Sequence, residues 1–178
     1  MIIDTEEILE FVTPFYENKD IMHDMWHIEL VKKWVERILQ LSEYTVNYEH
    51  LMLAMYFHGF IYSHENVIRD WLQSKAVAED EIEAIVKIAW ESQRSEEPET
   101  LEGKILHDAH VLEGGKTYLV VKTLITGSVR GQSLEQTLNY MKNKVLQTNK
   151  CYLPETIPLC EEMNTYADNF YEEIMKGI

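Results

Sequence analysis

Hydrophobic residues recur at three- and four-residue spacing along most of the chain, which is the pattern of amphipathic helices. The clearest example lies between Asp24 and Leu41, where the apolar positions are Leu30, Val31, Trp34, Val35, Ile38 and Leu39. Residues 48–57 are apolar on nearly every side of a helical projection, so they predict a buried central helix. The hydrophobic pattern therefore predicts a helical protein built around that segment.

Polar residues mark where several helices begin. Asp4 precedes two acidic residues and predicts a helix start, and Pro14 should bend or stop that first helix. Ser63 is a candidate cap for a helix over residues 65–74, and acidic residues open another helix near residue 78.

The second half of the chain follows the same pattern. Thr100 caps a predicted helix after the polar segment SEEPE, and a long apolar helix is expected over residues 118–125. Ser133 and Gln136 have the spacing of a capping box and open a predicted helix over residues 134–146. A last helix follows two prolines, and its apolar stripe consists of Met163, Tyr166, Phe170 and Ile174. We expect about eight or nine helices in a single all-α domain.

The composition agrees with this fold class. Of 178 residues, 46% are hydrophobic, which is enough to bury a core without disulfides or a structural metal. The 7 glycines and 4 prolines are too few for an all-β protein with many tight turns, and no flexible linker divides residues 1–178. Cys151 and Cys160 show neither metal-binding nor disulfide spacing, which fits a reducing cytoplasm.

The formal net charge of −15 disfavours nucleic acid polymers and anionic membranes as partners. A small phosphorylated molecule stays compatible, provided that a metal ion or a few basic groups reverse the field locally. The N-terminal residues lack the basic start and apolar core of a signal peptide, and no apolar stretch is long enough to span a membrane. We therefore expect a soluble, cytoplasmic protein.

Seven histidines are the candidate chemical groups. His23 and His27 lie four residues apart at the start of a helix and can share a face. His58 ends the buried segment, and Asp108 lies between two more histidines in the phrase ILHDAHVLE. Imidazoles and carboxylates on different helices of a bundle can converge on one divalent ion. The alternative is structural: each histidine is a satisfied core residue, and Asp108 pairs with Lys104 across one helical turn.

Three phrases in order, HDMWHIELVKKWVERIL, LAMYFHGFIY and TLEGKILHDAHVLE, resemble the small stand-alone proteins of the HD-domain superfamily. The family pattern is a histidine on one helix, a His-Asp pair that ends a buried helix, and an aspartate in a later helix. The resemblance covers about residues 22–112, and the helices over about residues 115–176 fit it more loosely. It implies an HD-type helical bundle and a metal-dependent phosphohydrolase that acts on nucleotides or other small phosphate esters.

The resemblance also implies functional residues. It implies His27, His58 and Asp108 as the ligands of a divalent ion, such as Mn, Zn, Fe, Ni or Mg. His23 and Asp24 match the HD-x-x-H opening of the small family members, and supporting roles are expected for them.

Gly59 departs from the family pattern, because it stands where the signature aspartate follows the histidine. Glycine can neither bind a metal nor orient a water molecule, so the metal site is expected to be weakened or absent. Asp24, His64 and Glu65 are predicted near the same helix ends and could replace the missing carboxylate. A second departure lies in WESQRSEE, where relatives often carry another histidine.

If the site works, Glu65 and His64 are the candidates for the general base, and Asp24 is the third predicted catalytic residue. Basic side chains could meet a substrate phosphate or be ordinary solvated charges. The four candidates are Arg69, Lys104, Lys122 and Arg130, of which Arg130 lies in the glycine-containing loop SVRGQS.

The glycine at position 59 is the feature that bears on the choice between two functional classes for this protein. The first is a metal-dependent phosphohydrolase with an altered site. The alternative is a catalytically inactive HD fold that binds a nucleotide or a protein partner as a regulatory module. A purely structural role, with His27, His58 and Asp108 hydrogen-bonded to one another, is a third interpretation. The aromatic C-terminal helix either packs against the core or forms the surface of a homodimer.

Overall fold

The computed structural model describes residues 3–177, and its regular elements within that range are all helical. The helices are α1 (Thr5–Val12), α2 (Met25–Leu41), α3 (Tyr48–Phe57), α4 (Ile61–Ser74), α5 (Glu79–Glu91), α6 (Leu101–Leu112), α7 (Gly115–Val129), α8 (Leu134–Tyr140, continued by a π-helical turn Met141–Val145 and by Leu146–Thr148) and α9 (Ile157–Gly177). The predicted all-α bundle of about eight or nine helices is confirmed. The first two residues and the last residue of the predicted domain lie outside the described residues.

Most helix starts follow the predicted caps. The Asp4 carboxylate accepts a hydrogen bond from the backbone of Glu6, and the Thr100 hydroxyl accepts one from Gly103 at 2.9 Å. Pro14 has the predicted effect, because α1 ends at Val12 and a short 3₁₀ turn replaces its continuation. These boundaries were predictable because each depends on residues only two or three positions away.

The start of α4 differs from the prediction. The helix begins at Ile61 rather than at residue 65, and it is kinked at His64, whose φ and ψ are −134° and 28°. The Ser63 hydroxyl does not cap the helix, since it donates to the carbonyl of Phe60 at 3.3 Å. Compared with the predicted start at residue 65, α4 therefore has one additional turn before the kink. The helix begins only two residues after Gly59.

Two hydrophobic cores hold the bundle together. The first lies among α1 to α6, and the second joins the end of α6 to α7, α8 and α9. On α9 the fully buried positions are Cys160, Met163 and Ala167, with Phe170 beside them, while Tyr166 is 38% exposed. The predicted stripe is thus correct except at Tyr166, where Ala167 takes the inward position.

Helix α6 belongs to both cores and packs against α2 and α5. Its last turn therefore lies where the two cores meet, next to the start of α2 and the end of α3. Among the described helices, none combines the length and the hydropathy needed to cross a lipid bilayer.

Candidate active site

Three imidazole rings meet at the junction of the two cores. His27 lies in the first turn of α2, His58 directly follows α3, and His110 lies in the last turn of α6. One ligand nitrogen from each ring lies within 4.8 Å of the other two, and the Nε2 atoms of His27 and His58 are 2.9 Å apart. His27 and His58 are buried, with exposed fractions of 3% and 1%. We call this group the histidine cluster.

The segment that ends α5 positions two of these rings. The backbone carbonyl of Ser92 lies 3.1 Å from Nδ1 of His110, and the side-chain amide of Gln93 donates to the carbonyl of His58 at 2.8 Å. The neighbouring Glu91 carboxylate accepts from the backbone of Thr100 and fixes the start of α6. The segment directly after α5 therefore supplies anchors for the cluster.

The ring of His27 is held in place by Glu113, which forms a buried ion pair with Lys122. Nδ1 of His27 contacts one carboxylate oxygen of Glu113, and the other oxygen accepts from the ammonium of Lys122. Burial alone raises the pKa of the Glu113 carboxyl, but Lys122 and His27 outweigh that effect and hold the pKa at about 2. A carboxylate behind an imidazole is the usual outer partner of a metal-binding histidine, because it fixes the tautomer and the ring orientation.

The hydrogen bonds determine which nitrogen of each ring is free. A backbone carbonyl can only accept, so Nδ1 of His58 donates to Met55 at 2.5 Å and Nδ1 of His110 donates to Ser92. The ionised Glu113 likewise accepts from Nδ1 of His27. In each neutral ring the lone pair is therefore on Nε2, the nitrogen left for the cluster.

Burial keeps the three rings neutral. It lowers the pKa of His27, lowers that of His58 to about 3 with a further contribution from His27, and lowers that of His110 well below the usual value. Two neutral Nε2 lone pairs 2.9 Å apart repel each other, and a shared cation removes that repulsion. An ion bound to imidazole nitrogens at about 2.0–2.1 Å holds them about 3.3 Å apart. The donor set therefore fits a divalent cation.

Asp108 was predicted as a ligand with His27 and His58, but the structure does not bring its carboxylate together with those two rings. The Asp108 side chain is fully buried. Its carboxylate accepts from the backbone of Tyr152 at 2.9 and 3.0 Å and from that of Leu153 at 2.8 Å, and Thr156 Oγ1 lies 2.5 Å away. Successive helical residues are about 100° apart, so residues 108 and 110 point about 200° apart and face different sides of α6. His110, which the sequence reasoning passed over, takes the position in the cluster.

The three predicted catalytic residues have other contacts. Glu65 accepts from Arg69 at 2.8 Å and from the indole of Trp90 at 2.8 Å. The Asp24 carboxylate caps α2 by accepting from the backbone of Trp26 at 2.9 Å. His64 is exposed at the kink of α4, with Nδ1 2.7 Å from the hydroxyl of its neighbour Ser63. None of the three lines the cavity that opens over the histidine cluster.

Tyr16 fills the space beside Gly59. The backbone N–H of Gly59 donates to the Tyr16 hydroxyl at 3.2 Å, and that hydroxyl donates to the carbonyl of Tyr56 at 2.8 Å. A Cβ atom placed on Gly59 would lie 2.6 Å from the Tyr16 oxygen. Lys19 donates to the carbonyl of Gly59. The predicted missing carboxylate is thus replaced by a packed phenol, and neither Asp24, His64 nor Glu65 takes its place.

A cavity of about 650 Å³ opens over the histidine cluster. Its walls carry four basic residues, Lys19, Arg94, Lys122 and Arg130, and a single acidic residue among the described ones, Asp20. The cavity is therefore locally basic in a chain whose net charge is −15. This is the local field reversal that an anionic ligand requires.

Two of the four predicted phosphate residues line this cavity and two do not. Lys122 and Arg130 are in its wall. Arg69 instead pairs with Glu65 and with Glu83, at 2.8 and 2.6 Å, and Lys104 lies on α6 away from the cavity. Arg130 follows the reasoning given for it, since a basic residue beside glycine in a loop can reach a cavity wall, and its contact with a phosphate stays a prediction.

Arg94 is a cavity residue that the sequence reasoning missed. It is half-buried, and it forms no hydrogen bond or ion pair with any described residue. Because Arg94 lies in the polar segment SQRSEE, the sequence suggested an ordinary solvent-exposed charge. The available signal was its place directly after Glu91, Ser92 and Gln93, where the family pattern was already altered.

His107, the other histidine of the motif phrase on α6, lies outside the cluster. It is buried, and its ring packs against that of Tyr152 at a centroid distance of 5.0 Å.

Solved structures with the same fold support the HD-type assignment. An HD-superfamily hydrolase from Bacillus thuringiensis is 21% identical, with 97% of this chain and 95% of that chain covered and a TM-score of 0.72. YpgQ from Bacillus subtilis, solved in complex with ADP, is 16% identical, with 97% and 94% covered and a TM-score of 0.75. The Lin1889 protein from Listeria innocua is 21% identical, with 97% and 96% covered and a TM-score of 0.69. No protein-family model matches the chain, and no curated protein is significantly similar to it. The expected HD-type fold is confirmed.

Proposed function

We propose that this protein is a divalent-metal-dependent phosphohydrolase that acts on a nucleotide or another small phosphate ester. The observation that carries the proposal is the convergence of three Nε2 lone pairs at the floor of a basic cavity. The three imidazole ligands are neutral and the cavity walls are basic, so a bound metal ion would leave the site with a net positive charge. A polyanionic substrate would balance that charge.

The metal would be held by His27, His58 and His110 rather than by the set that includes Asp108. When bound, a divalent ion with few protein ligands polarises a phosphoryl oxygen and makes bound water more acidic. Glu113 keeps the His27 ring in the required tautomer, and Gln93 and Ser92 keep the other two rings in place.

The anionic part of the substrate is proposed to contact Arg94 and Arg130. Both line the cavity, and neither side chain has a hydrogen bond to a described residue, so their guanidinium groups are available. Guanidinium groups bind phosphate through paired, charge-assisted hydrogen bonds. Lys122 contributes charge to the same region, although its ammonium is already bonded to Glu113.

His23 is the proposed group for proton transfer, in place of Glu65, His64 and Asp24. It lines the cavity, its ring centroid lies 6.1 Å from that of His27, and its Nδ1 is 2.9 Å from the Asp20 carboxylate. Burial, and then Lys122, lower the pKa of His23, so its ring is neutral near pH 7 with Nε2 free. An imidazole oriented by a carboxylate can accept a proton from water or return one to a leaving group.

The comparisons support the same substrate class. YpgQ, which shares the fold over nearly the whole chain, was solved with ADP bound. The acidic outer surface disfavours a nucleic acid polymer, so a mononucleotide or another small ester in the cytoplasm is the proposed substrate. A homodimer through α9 is less well supported, because Phe170 and Tyr171 pack against the second core.

A non-catalytic binding module is the second candidate. Gly59 favours it, since the carboxylate that normally completes the family's metal site is absent and Tyr16 fills the space. Such a module would use the same basic cavity to bind a nucleotide without turnover.

Hydrolysis assays separate the two candidates. The full-length protein is loaded with zinc, cobalt, manganese or magnesium, and phosphate release is measured on a panel of nucleotides and phosphate esters. We expect turnover that falls on the order of a thousandfold in His58→Ala, because several kcal/mol of electrostatic stabilisation are lost. His64→Ala is the matched control, since His64 is outside the cavity. Nucleotide binding without turnover under every metal would support the binding module instead.

A further inference from the structure

The ligand atoms of the proposed metal centre are all imidazole nitrogens. We infer that the histidine cluster selects zinc or a similar imidazole-preferring transition metal over magnesium and manganese. The inference rests on the metal centre of the proposed function and goes beyond it, because it assigns the class of ion. Imidazole suits Zn²⁺, Fe²⁺, Ni²⁺ and Cu²⁺, whereas Mg²⁺ and Mn²⁺ prefer carboxylate, carbonyl and water oxygens.

The nearby carboxylates are already engaged elsewhere. The two oxygens of Glu113 are bonded to His27 and Lys122 on the far side of the ring from Nε2. Asp20 accepts from His23 and from the backbone of Met22 at 2.8 Å. With Asp108 bonded to the segment after α8, no described carboxylate joins the three-histidine group.

Tyr16 prevents a carboxylate from entering at position 59. Its ring is buried, with an exposed fraction of 1%, and it stacks edge-on against Phe60 at a centroid distance of 5.8 Å. Any side chain at position 59 would place Cβ within 2.6 to 2.9 Å of three Tyr16 atoms, which are not the flexible end of a long chain. The packing around Tyr16 thus fixes the all-nitrogen donor set.

The selectivity can be measured without turnover. Metal-free, tag-free protein is titrated with ZnCl₂, MnCl₂ and MgCl₂ against a competing chelator, and the visible spectrum of the Co²⁺ form is recorded. We expect one equivalent of zinc, bound roughly a thousandfold more tightly than manganese, and no magnesium binding at millimolar concentration. The Co²⁺ spectrum should have the intense visible bands of a nitrogen-rich site of low coordination number.

Two variants test the donor set itself. His110→Asp replaces one nitrogen with an oxygen and should narrow the zinc-to-manganese ratio by at least about tenfold. Gly59→Asp should bind manganese no better than the parent and should lower the melting temperature, because Tyr16 occupies the space. The double variant Gly59→Asp with Tyr16→Ala frees that space and should gain manganese affinity. His64→Asp adds a carboxylate outside the cavity and is the matched control.

The possible results distinguish the inference from the proposal beneath it. Equal affinity for zinc and manganese, or preference for magnesium, would overturn the selectivity and leave the metal centre intact. If no ion binds to the parent protein at all, both the inference and the metal-dependent function are wrong. Because the Co²⁺ spectrum is recorded on the parent protein, the inference is tested even where a variant fails to fold.

Discussion

The guanidinium of Arg94 is a positive charge in the cavity without a bonded partner among the described residues. It lies in the wall of the cavity beside the histidine cluster. A half-buried guanidinium without a partner is costly to maintain, because the charge loses part of its hydration and gains no ion pair. An anionic ligand would supply the missing partner.

We expect Arg94→Ala to weaken the binding of ADP by about tenfold to a hundredfold, since a hydrogen bond to a charged group contributes about 1.5–3 kcal/mol. Titration calorimetry with ADP on the metal-loaded protein measures the change. Arg94→Lys should recover only part of the affinity, because an ammonium lacks the paired donors of a guanidinium. Lys104→Ala, a basic residue on α6 outside the cavity, should bind ADP like the parent. Equal losses in Lys104→Ala would show that only general electrostatic attraction is being measured.

At the scale of helices, Asp108 connects α6 to the segment between α8 and α9. Its buried carboxylate accepts from two backbone N–H groups, of Tyr152 and Leu153, and from the hydroxyl of Thr156. Since a carboxylate that accepts several hydrogen bonds in the interior stabilises the donors as a group, this residue fixes the entry to α9.

Asp108→Asn should therefore lower the free energy of unfolding by about 2–4 kcal/mol, because an amide oxygen replaces the charge and an amide nitrogen faces a donor. Urea denaturation of the metal-free protein measures this loss. Zinc affinity should be nearly unchanged, because the carboxylate does not face the histidine cluster. Thr156→Val removes only one of the donors and should cost about 1 kcal/mol. An Asp108→Asn protein of normal stability that has lost zinc would restore Asp108 as a ligand.

The same helix shows which features the sequence could predict. The caps at Asp4 and Thr100 and the stop at Pro14 were predictable because they depend on neighbours in the chain. The choice between Asp108 and His110 was not, because both lie on α6 and only the packing of the distant segment around Tyr152 decides which faces the cavity. Single-sequence patterns place a residue on a helix but do not give the rotation of that helix in the bundle.

The surroundings of Gly59 also depend on a contact between residues distant in the sequence, which the sequence alone does not show. The sequence showed that a family carboxylate was missing, but the candidates to replace it were chosen by nearness in the chain. Tyr16, which fills the space, lies 43 residues away. Glu113 was also overlooked, although it is the last residue of the motif phrase TLEGKILHDAHVLE, because its contact with His27 spans 86 residues.

The outer surface of the molecule and its cavity carry charge of opposite sign. The chain carries −15 in total, yet the cavity wall is basic. An acidic exterior repels polyanions such as nucleic acid at long range, whereas a recessed basic wall attracts a small anion that can enter. The whole charge distribution therefore favours entry of a small anion over approach of an anionic polymer.

The buried histidines also make the stability of the whole molecule depend on pH. The pKa of His58 is lowered to about 3 by burial and by His27, and the pKa values of His27 and His110 are lowered as well. In the unfolded chain these rings titrate near 6.5, so below that pH the unfolded state binds more protons than the folded state. Stability should therefore fall as the pH is lowered through the interval between the unfolded and folded pKa values.

For His58 alone the loss between pH 7 and pH 5 is about 2 kcal/mol, since each unit of pKa difference corresponds to about 1.4 kcal/mol. Glu113, whose pKa is about 2, loses its contribution only as the pH falls below its ordinary range near 4.5, so it does not mask the histidines above pH 5. Urea unfolding of the chelator-treated protein at pH 7.5, 6 and 5 measures the dependence, and His58→Gln should have a shallower slope by up to one proton. The comparison with that variant removes the contribution of the acidic surface, which both proteins share. Identical slopes in the two proteins would mean that His58 is protonated in the folded state at pH 5 and that the cluster is more hydrated than its burial indicates.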